Sequence, residues 1–245
     1  MPYKKNKSEW NKPVPTIVIL PGMHGTGELF AEFIAALPRA VESIVVSYPP
    51  DRPLNYAELE KLVRTSLPVE RPYVLLGESF SGPIAVSIAA SKPAGLRGLM
   101  LVGSFVRNPT IVPNVLCPLI SRFPVWRVPA WLSAAFLLGR SATPALRSRL
   151  AAAIAKVSPL VWRARLHAVL AVDVAAQLRN IDVPVLYLRA INDRVVARRS
   201  SRLINKFLPN ARVIELEAPH FMLLARPIES AARVEAFVRD VSFSF

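Results

Sequence analysis

The chain has 245 residues, 52% of them hydrophobic, and carries a formal charge of +14. That length and apolar content suit one large domain with its own core and exclude a disordered chain. The charge excess favours anionic partners, whether acidic substrates, a membrane surface or nucleic acid, without choosing among them.

The single cysteine, Cys117, cannot make an internal disulfide, which fits a reducing compartment, and it reads as core packing. Residues 1–15 are a basic N-terminal extension with no apolar segment before Pro13, so no secretory signal is expected. The apolar run Val128 to Gly139 stops at Arg140, and no uncharged apolar run reaches the about 18 residues of a membrane span. A cytoplasmic location is the default expectation.

Thr16 to Leu20 is a β-branched run, read as a strand, and Pro-Gly-Met-His-Gly-Thr-Gly follows it. A glycine-rich loop after a strand is a place where backbone N–H groups can face a ligand. Leu29, Phe33 and Leu37 share one face of a helix predicted over Glu28 to Leu37. Ile44 to Tyr48 is a second strand, closed by Pro49 and Pro50, and Tyr56 to Leu67 a second helix. A third strand at Tyr73 to Leu76, a third helix at Pro83 to Ser91 and a fourth strand at Gly98 to Val102 continue the pattern.

The alternation stops at Ser104. Residues 106–176 are broken by Pro124, Pro129, Pro144 and Pro159 into short helical pieces, which predicts an inserted helical cap. The alternation resumes with a strand at Val183 to Leu188, a helix at Arg199 to Phe207 and a strand at Arg212 to Leu216. A last helix, Ile228 to Val241, repeats apolar residues at Ala231, Val234, Phe237 and Val241. The whole predicts an α/β fold: a doubly wound, mostly parallel sheet of about six strands, with its core in residues 16–105 and 177–245. No Asp or Glu occurs between Glu78 and Asp173, whereas eleven Lys or Arg lie from Lys92 to Arg165. This stretch is either a solvated basic face or a surface for anionic acyl substrates or phospholipid headgroups, and its interleaved arginines also suit an interfacial helix.

Tyr73 to Ala85 holds the candidate nucleophile. A strand that becomes a helix across Gly-Glu-Ser-Phe-Ser-Gly must turn sharply, and Ser79 sits at the apex. Gly77 and Ser81 are small where strand end and helix start pack closely, the physics of the Gly-x-Ser-x-Gly elbow. A serine hydroxyl needs a base, and the base an orienting acid. His220 follows the last predicted strand and Asp193 the one before it, so both lie where open α/β sheets place their sites. The order serine, acid, histidine is that of one large class of hydrolases. His167, in the predicted cap, is a weaker base. Asp173 and Asp182 are weaker acids because both precede their strand. His24, in the glycine loop, ranks below His220 because the sequence places no acid to orient it; it is a candidate substrate-binding residue, as is Met222. The oxyanion donors are expected to be the backbone N–H groups of Phe80 and Met23.

These segments resemble the α/β-hydrolase-fold serine hydrolases: Leu-Pro-Gly-Met-His-Gly-Thr-Gly is similar to that family's oxyanion loop, Gly-Glu-Ser-Phe-Ser-Gly to its elbow, and Asn-Asp-Arg-Val-Val and Ala-Pro-His-Phe to its acid and histidine loops. Ser81 replaces the family's usual glycine, and the short N-terminus leaves no room for the family's first two strands. The resemblance implies esterase or thioesterase chemistry on a small-molecule substrate, through a Ser79–His220–Asp193 triad. Phe80, the apolar cap and Met222 suggest an apolar acyl or alkyl group. No metal or other cofactor is expected, since Cys and His are too few and too scattered for a cluster. Acyl transfer with the same triad, and a non-catalytic binding protein on the same scaffold, remain the alternatives. Nucleic acid ranks last as a partner because no recognised motif accompanies the charge. The sequence leaves the oligomeric state open.

Overall fold

The computed structural model describes residues 14–109 and 128–243. Most of the N-terminal extension, Cys117, Pro124 and part of the expected cap lie outside them. Six strands form one sheet: β1 (Thr16–Leu20), β2 (Ser43–Val45), β3 (Tyr73–Glu78), β4 (Leu96–Val102), β5 (Val185–Ala190) and β6 (Arg212–Leu216). All are parallel, in the order β2-β1-β3-β4-β5-β6. The helices are α1 (Ala31–Ala36), α2 (Tyr56–Thr65), α3 (Gly82–Ala90), α4 (Ala130–Leu137), α5 (Pro144–Ala155), α6 (Pro159–Ala171), α7 (Arg198–Phe207), α8 (Met222–Ala225) and α9 (Pro227–Phe243).

The two-residue period of the strands divides the core. Val18, Leu20, Leu75, Leu99, Leu101 and Tyr187 pack on one side with Leu59 and Val63 of α2, Ile84 and Ile88 of α3 and Ile204 of α7. Ile17, Ile19, Val74, Leu76, Met100 and Leu188 pack on the other with Phe33 of α1 and Val234, Phe237 and Val238 of α9. A central parallel strand is covered on both faces, so its residues read as an unbroken apolar run. The edge strands are covered less: β2 is half-buried throughout, and β6 is more open still. β6 leaves Arg212, Val213 and Glu215 exposed, and so carries charges that discourage edge pairing.

Four strands differ from the expected bounds: β3 runs on to Glu78, β4 starts at Leu96, and β2 and β5 are shifted. β2 ends at Val45, not Tyr48, because the chain turns toward the loop after β1: Tyr48 N–H donates to the Gly25 carbonyl at 2.8 Å. β5 begins two residues late because Pro184 has no N–H for the ladder, although its carbonyl still accepts from Leu99 N–H at 3.0 Å. Pro144 and Pro159 open α5 and α6, each behind a hydroxyl cap: Thr143 accepts from Leu146 N–H and Ser158 from Val161 N–H, both at 3.3 Å. Helices α4 and α5 join the rest through an apolar cluster of Ala134, Leu138, Leu150 and Ala153 with Leu29, Phe221 and Leu224.

The sheet brings its C-terminal ends level. Leu20 pairs with Gly77, Glu78 with Val102, Val102 with Leu188, and Ala190 with Leu216. The loops after β1, β3, β5 and β6 therefore emerge at one rim. Strand order reverses between β1 and β3, which opens the crevice where ligands of doubly wound sheets bind.

Candidate active site

β3 runs into a 3₁₀ turn, Ser79–Ser81, and then into α3. Ser79 takes φ 47°, the left-handed region, which costs an L-residue about 1–2 kcal/mol. The turn holds because its surroundings fix it. Ser104 Oγ donates to the Ser79 carbonyl at 2.5 Å, and Tyr187 Oη to the Ser104 carbonyl at 2.7 Å. Tyr56 Oη donates to the Phe80 carbonyl at 3.0 Å, and its ring stacks on Phe80 with centroids 4.8 Å apart.

Of the two small elbow residues, Gly77 does what was expected and Ser81 does something else. A Cβ on Gly77 would lie 2.9 Å from the Ala85 Cβ, so smallness is required there. The other tight position is Gly82, not Ser81: a Cβ on Gly82 would fall 1.8 Å from Ser104 Oγ. Ser81 instead uses its hydroxyl, which donates to the Pro21 carbonyl. With that proton spent, Tyr48 Oη donates to Ser81 Oγ, at 2.6 Å. Burial holds the Tyr48 phenol well above its ordinary pKa, so it remains a donor.

Ser79, His220 and Asp193 are brought together. Ser79 Oγ lies 2.8 Å from His220 Nε2, and His220 Nδ1 lies 2.8 Å from Asp193 Oδ2. The other carboxylate oxygen, Oδ1, accepts the N–H groups of Val195 and Val196, each at 2.8 Å. A carboxylate fixed at both oxygens sets the ring: Nδ1–H donates to it, which leaves Nε2 free to take the serine proton. The His220 and Asp193 side chains are 2% and 5% exposed, so little water competes for these bonds. Phe221 stacks on the imidazole at 5.5 Å.

The other candidates for base and acid lie elsewhere, whereas His24 lies close by. His167 is exposed on α6. Asp173 pairs with Arg107 at 2.7 Å and Asp182 with Lys92 at 3.0 Å, both far into solvent. Met222 is fully buried and packs in the core cluster on the α9 side of the sheet. His24 is also buried, edge-on to Phe221 at 5.6 Å. A carboxylate does stand near it, which the sequence did not suggest: Glu78 Oε2 is 3.7 Å from His24 Nε2. His24 Nδ1 accepts Thr26 N–H at 3.2 Å, and Nε2 has no hydrogen-bond partner.

Sequence reasoning passed over Glu78 and Arg165. Glu78 Oε2 accepts Gly22 N–H at 3.2 Å. Arg165, from α6, donates through Nη1 to the Met23 carbonyl at 2.8 Å and through Nη2 to the Pro49 carbonyl at 3.0 Å. A signal existed for Arg165: it falls four residues after Val161 and four before Val169, on the buried stripe of α6. Among the described residues, no group of three His, Cys, Asp or Glu side chains is placed to hold a metal ion. No helix among them is long and apolar enough to cross a membrane.

A family model described as the alpha/beta hydrolase family matches residues 17–234. The chain belongs to that family. Within it, this α/β hydrolase is 28% identical over 92% of its length to the polyketide synthase ThaQ of Burkholderia thailandensis, and spans only 12% of that protein. It is 24% identical to a putative carbamate hydrolase, RutD, of Pseudomonas syringae, covering 91% of this chain and 93% of the relative. Among solved structures, a carboxylesterase study of Nitrososphaera gargenis gives a TM-score of 0.79 at 14% identity, over 95% of this chain and 92% of that one. The enol-lactonase of Burkholderia xenovorans gives 0.76 at 18%, over 93% and 91%. At these identities the structures speak for the shared fold alone.

Proposed function

We propose that this α/β hydrolase cleaves a carboxylic ester or thioester bearing an apolar acyl or alkyl group, through a covalent acyl-enzyme on Ser79. The observation that carries the reading is the unbroken chain from Ser79 Oγ through His220 to Asp193, with both links at 2.8 Å. Ser79 Oγ attacks the acyl carbon while His220 Nε2 takes its proton. The carbonyl oxygen, now negative, is met by the N–H groups of Met23 and Phe80. The intermediate collapses, the C–O or C–S bond breaks, and His220 returns the proton to the departing alcohol or thiol. Water then attacks the acyl-enzyme with His220 again as base, and Ser79 and the free acid are released. Asp193 holds the imidazole and balances its transient positive charge.

Helices α4 to α6 are the described part of the proposed cap. With the turn after α4, they expose Trp131, Phe136 and Leu160 together with Arg140, Arg147 and Arg163. Apolar side chains among cations support an anionic phospholipid surface as a second partner of this segment. Co-sedimentation with phosphatidylglycerol vesicles, set against phosphatidylcholine vesicles, tests it, and equal binding to both would remove it.

A fluorophosphonate probe tests the catalytic reading. It should label Ser79 stoichiometrically, and Ser79→Ala should lose several orders of magnitude in p-nitrophenyl ester turnover. A folded, unlabelled wild type, or full turnover in Ser79→Ala, would end it. Acyl esters and thioesters of graded length then define the preferred substrate.

A further inference from the structure

Three consecutive peptide units lead from β1 into the loop that carries the Met23 N–H. The first, Pro21–Gly22, is tied to the elbow at both ends: Ser81 Oγ donates to the Pro21 carbonyl, and Gly22 N–H donates to Glu78 Oε2. The second, Gly22–Met23, has its carbonyl held by Gly25 N–H at 2.9 Å. A trans peptide is planar, so fixing that carbonyl also fixes the direction of the Met23 N–H. The third, Met23–His24, has its carbonyl held by Arg165 Nη1.

Arg165 is the only one of these anchors that comes from the segment inserted between β4 and β5. It is 2% exposed, and among the described residues no carboxylate pairs with it. Two carbonyls and the Tyr48 ring, 5.8 Å from the guanidinium carbon, are what compensate its burial. Burial lowers its pKa to about 10, so the group is still charged near neutrality. The loop makes room for it: Gly25 has φ +75°, and a Cβ there would lie 2.6 Å from Nη1. A buried guanidinium without a counter-ion costs more than an apolar side chain of similar size, so packing alone does not account for it.

We infer that Arg165 is a positioning residue that couples α6 to the oxyanion loop, holding the Met23–His24 peptide and through it the adjoining Met23 N–H that is to stabilise the tetrahedral intermediate. The inference rests on the acyl-enzyme reading above. Its second bond, to Pro49, and its place over Tyr48 tie the loop after β2 into the same clamp. The Gly25 bond sets the donor's own peptide and Arg165 holds the one after it, so a displacement of α6 pulls on the turn that carries the donor.

The test compares wild type, Arg165→Ala and Arg165→Lys on a p-nitrophenyl ester, each checked for a cooperative thermal melt. Arg165→Ala should lose about ten- to hundred-fold in kcat, with KM within about two-fold, as expected for a misdirected but not deleted donor. Methylguanidinium at millimolar concentration should restore part of kcat, and methylammonium should not. Arg165→Lys, which can reach only one of the two carbonyls, should still fall about ten-fold, and it decides the matter if the alanine variant does not fold. Wild-type kcat in a folded variant, or a loss that follows the unfolded fraction and ignores methylguanidinium, would overturn the clamp. Wild type that turns over substrate and labels at Ser79 keeps the catalytic reading whichever way the clamp falls.

Discussion

Glu78 and Gly22 are joined by one hydrogen bond, carboxylate oxygen to backbone N–H at 3.2 Å, so the residue before the candidate nucleophile also grips the loop of the neighbouring strand. Position 78 thus links the two sides of the crevice between β1 and β3. Glu78→Gln keeps an oxygen able to accept from Gly22 and should hold kcat within a few-fold. Glu78→Ala leaves that buried N–H unpaired and should lower kcat about ten-fold while Ser79 still labels. Steady-state kinetics on both variants decide it. Equal losses in the two would show that the charge, and not the acceptor, is what matters.

Asp193→Asn should be far more damaging than its small change in shape suggests. Val195 and Val196 N–H groups hold Oδ1, so the amide oxygen stays there and the NH₂ faces His220. Nδ1 must then accept, the ring proton moves to Nε2, and Ser79 loses its base. The expected fall in kcat is about 10⁴-fold with little change in the far-ultraviolet circular dichroism. A folded Asn variant with kcat within about ten-fold of wild type would contradict this tautomer argument.

Gly82→Ala should destabilise the elbow itself. The new methyl would meet Ser104 Oγ at 1.8 Å and Ser104 Cβ at 2.9 Å, and Ser104 cannot move away without releasing the Ser79 carbonyl. The cost should be about 1–3 kcal/mol in urea unfolding, the range of an overpacked core. Ser81→Gly, which would restore the pattern usual at an elbow, should also destabilise, by about 1 kcal/mol, because it removes the donor to Pro21 and the acceptor for Tyr48.

The inner strands β1, β3, β4 and β5 were legible because each is a short apolar run closed by Gly, Pro or a polar turn, and because the sheet buries both faces of that run. Ser79, Asp193 and His220 were legible because strand ends announce themselves locally, and all three follow one. What could not be read depends on partners distant in sequence. Ser81 looked like a substitute for glycine, whereas its hydroxyl serves Pro21 and Tyr48 and the tight approach falls on Gly82. Glu78 looked like a variable letter of the elbow until Gly22 came within reach. Arg165 was counted with a basic run that includes exposed Arg163, although its spacing from Val161 and Val169 marks the buried stripe. Composition sums the charges of a helix and hides which face each one occupies.

Alkaline pH should unfold the chain cooperatively, and the tyrosines give the sign. Tyr48 and Tyr187 are 3% and 1% exposed, and burial, the largest cause in both, raises the two phenols above the ordinary 10.0. Above pH 10 the unfolded chain loses these protons while the folded chain keeps them. Their contribution to stability is therefore complete below pH 10 and drains away as pH rises past it. Tyr56, whose hydroxyl is turned inward to Phe80, shifts in the same direction. Arg165 works the other way: with a folded value lowered by burial to about 10, its proton is held more tightly by the unfolded chain, which alone would favour folding as pH rises. Burial raises the Tyr73 phenol too, so four phenols oppose one guanidinium and net stability should fall. In a titration followed by tyrosinate absorbance and by circular dichroism, the last phenols should ionise together with the loss of helical signal. Complete tyrosinate formation in a chain that retains its native spectrum would contradict the burial argument. Tyr187→Phe should move the alkaline midpoint upward relative to its own neutral-pH stability, because one of the protons that drives unfolding is no longer there to lose.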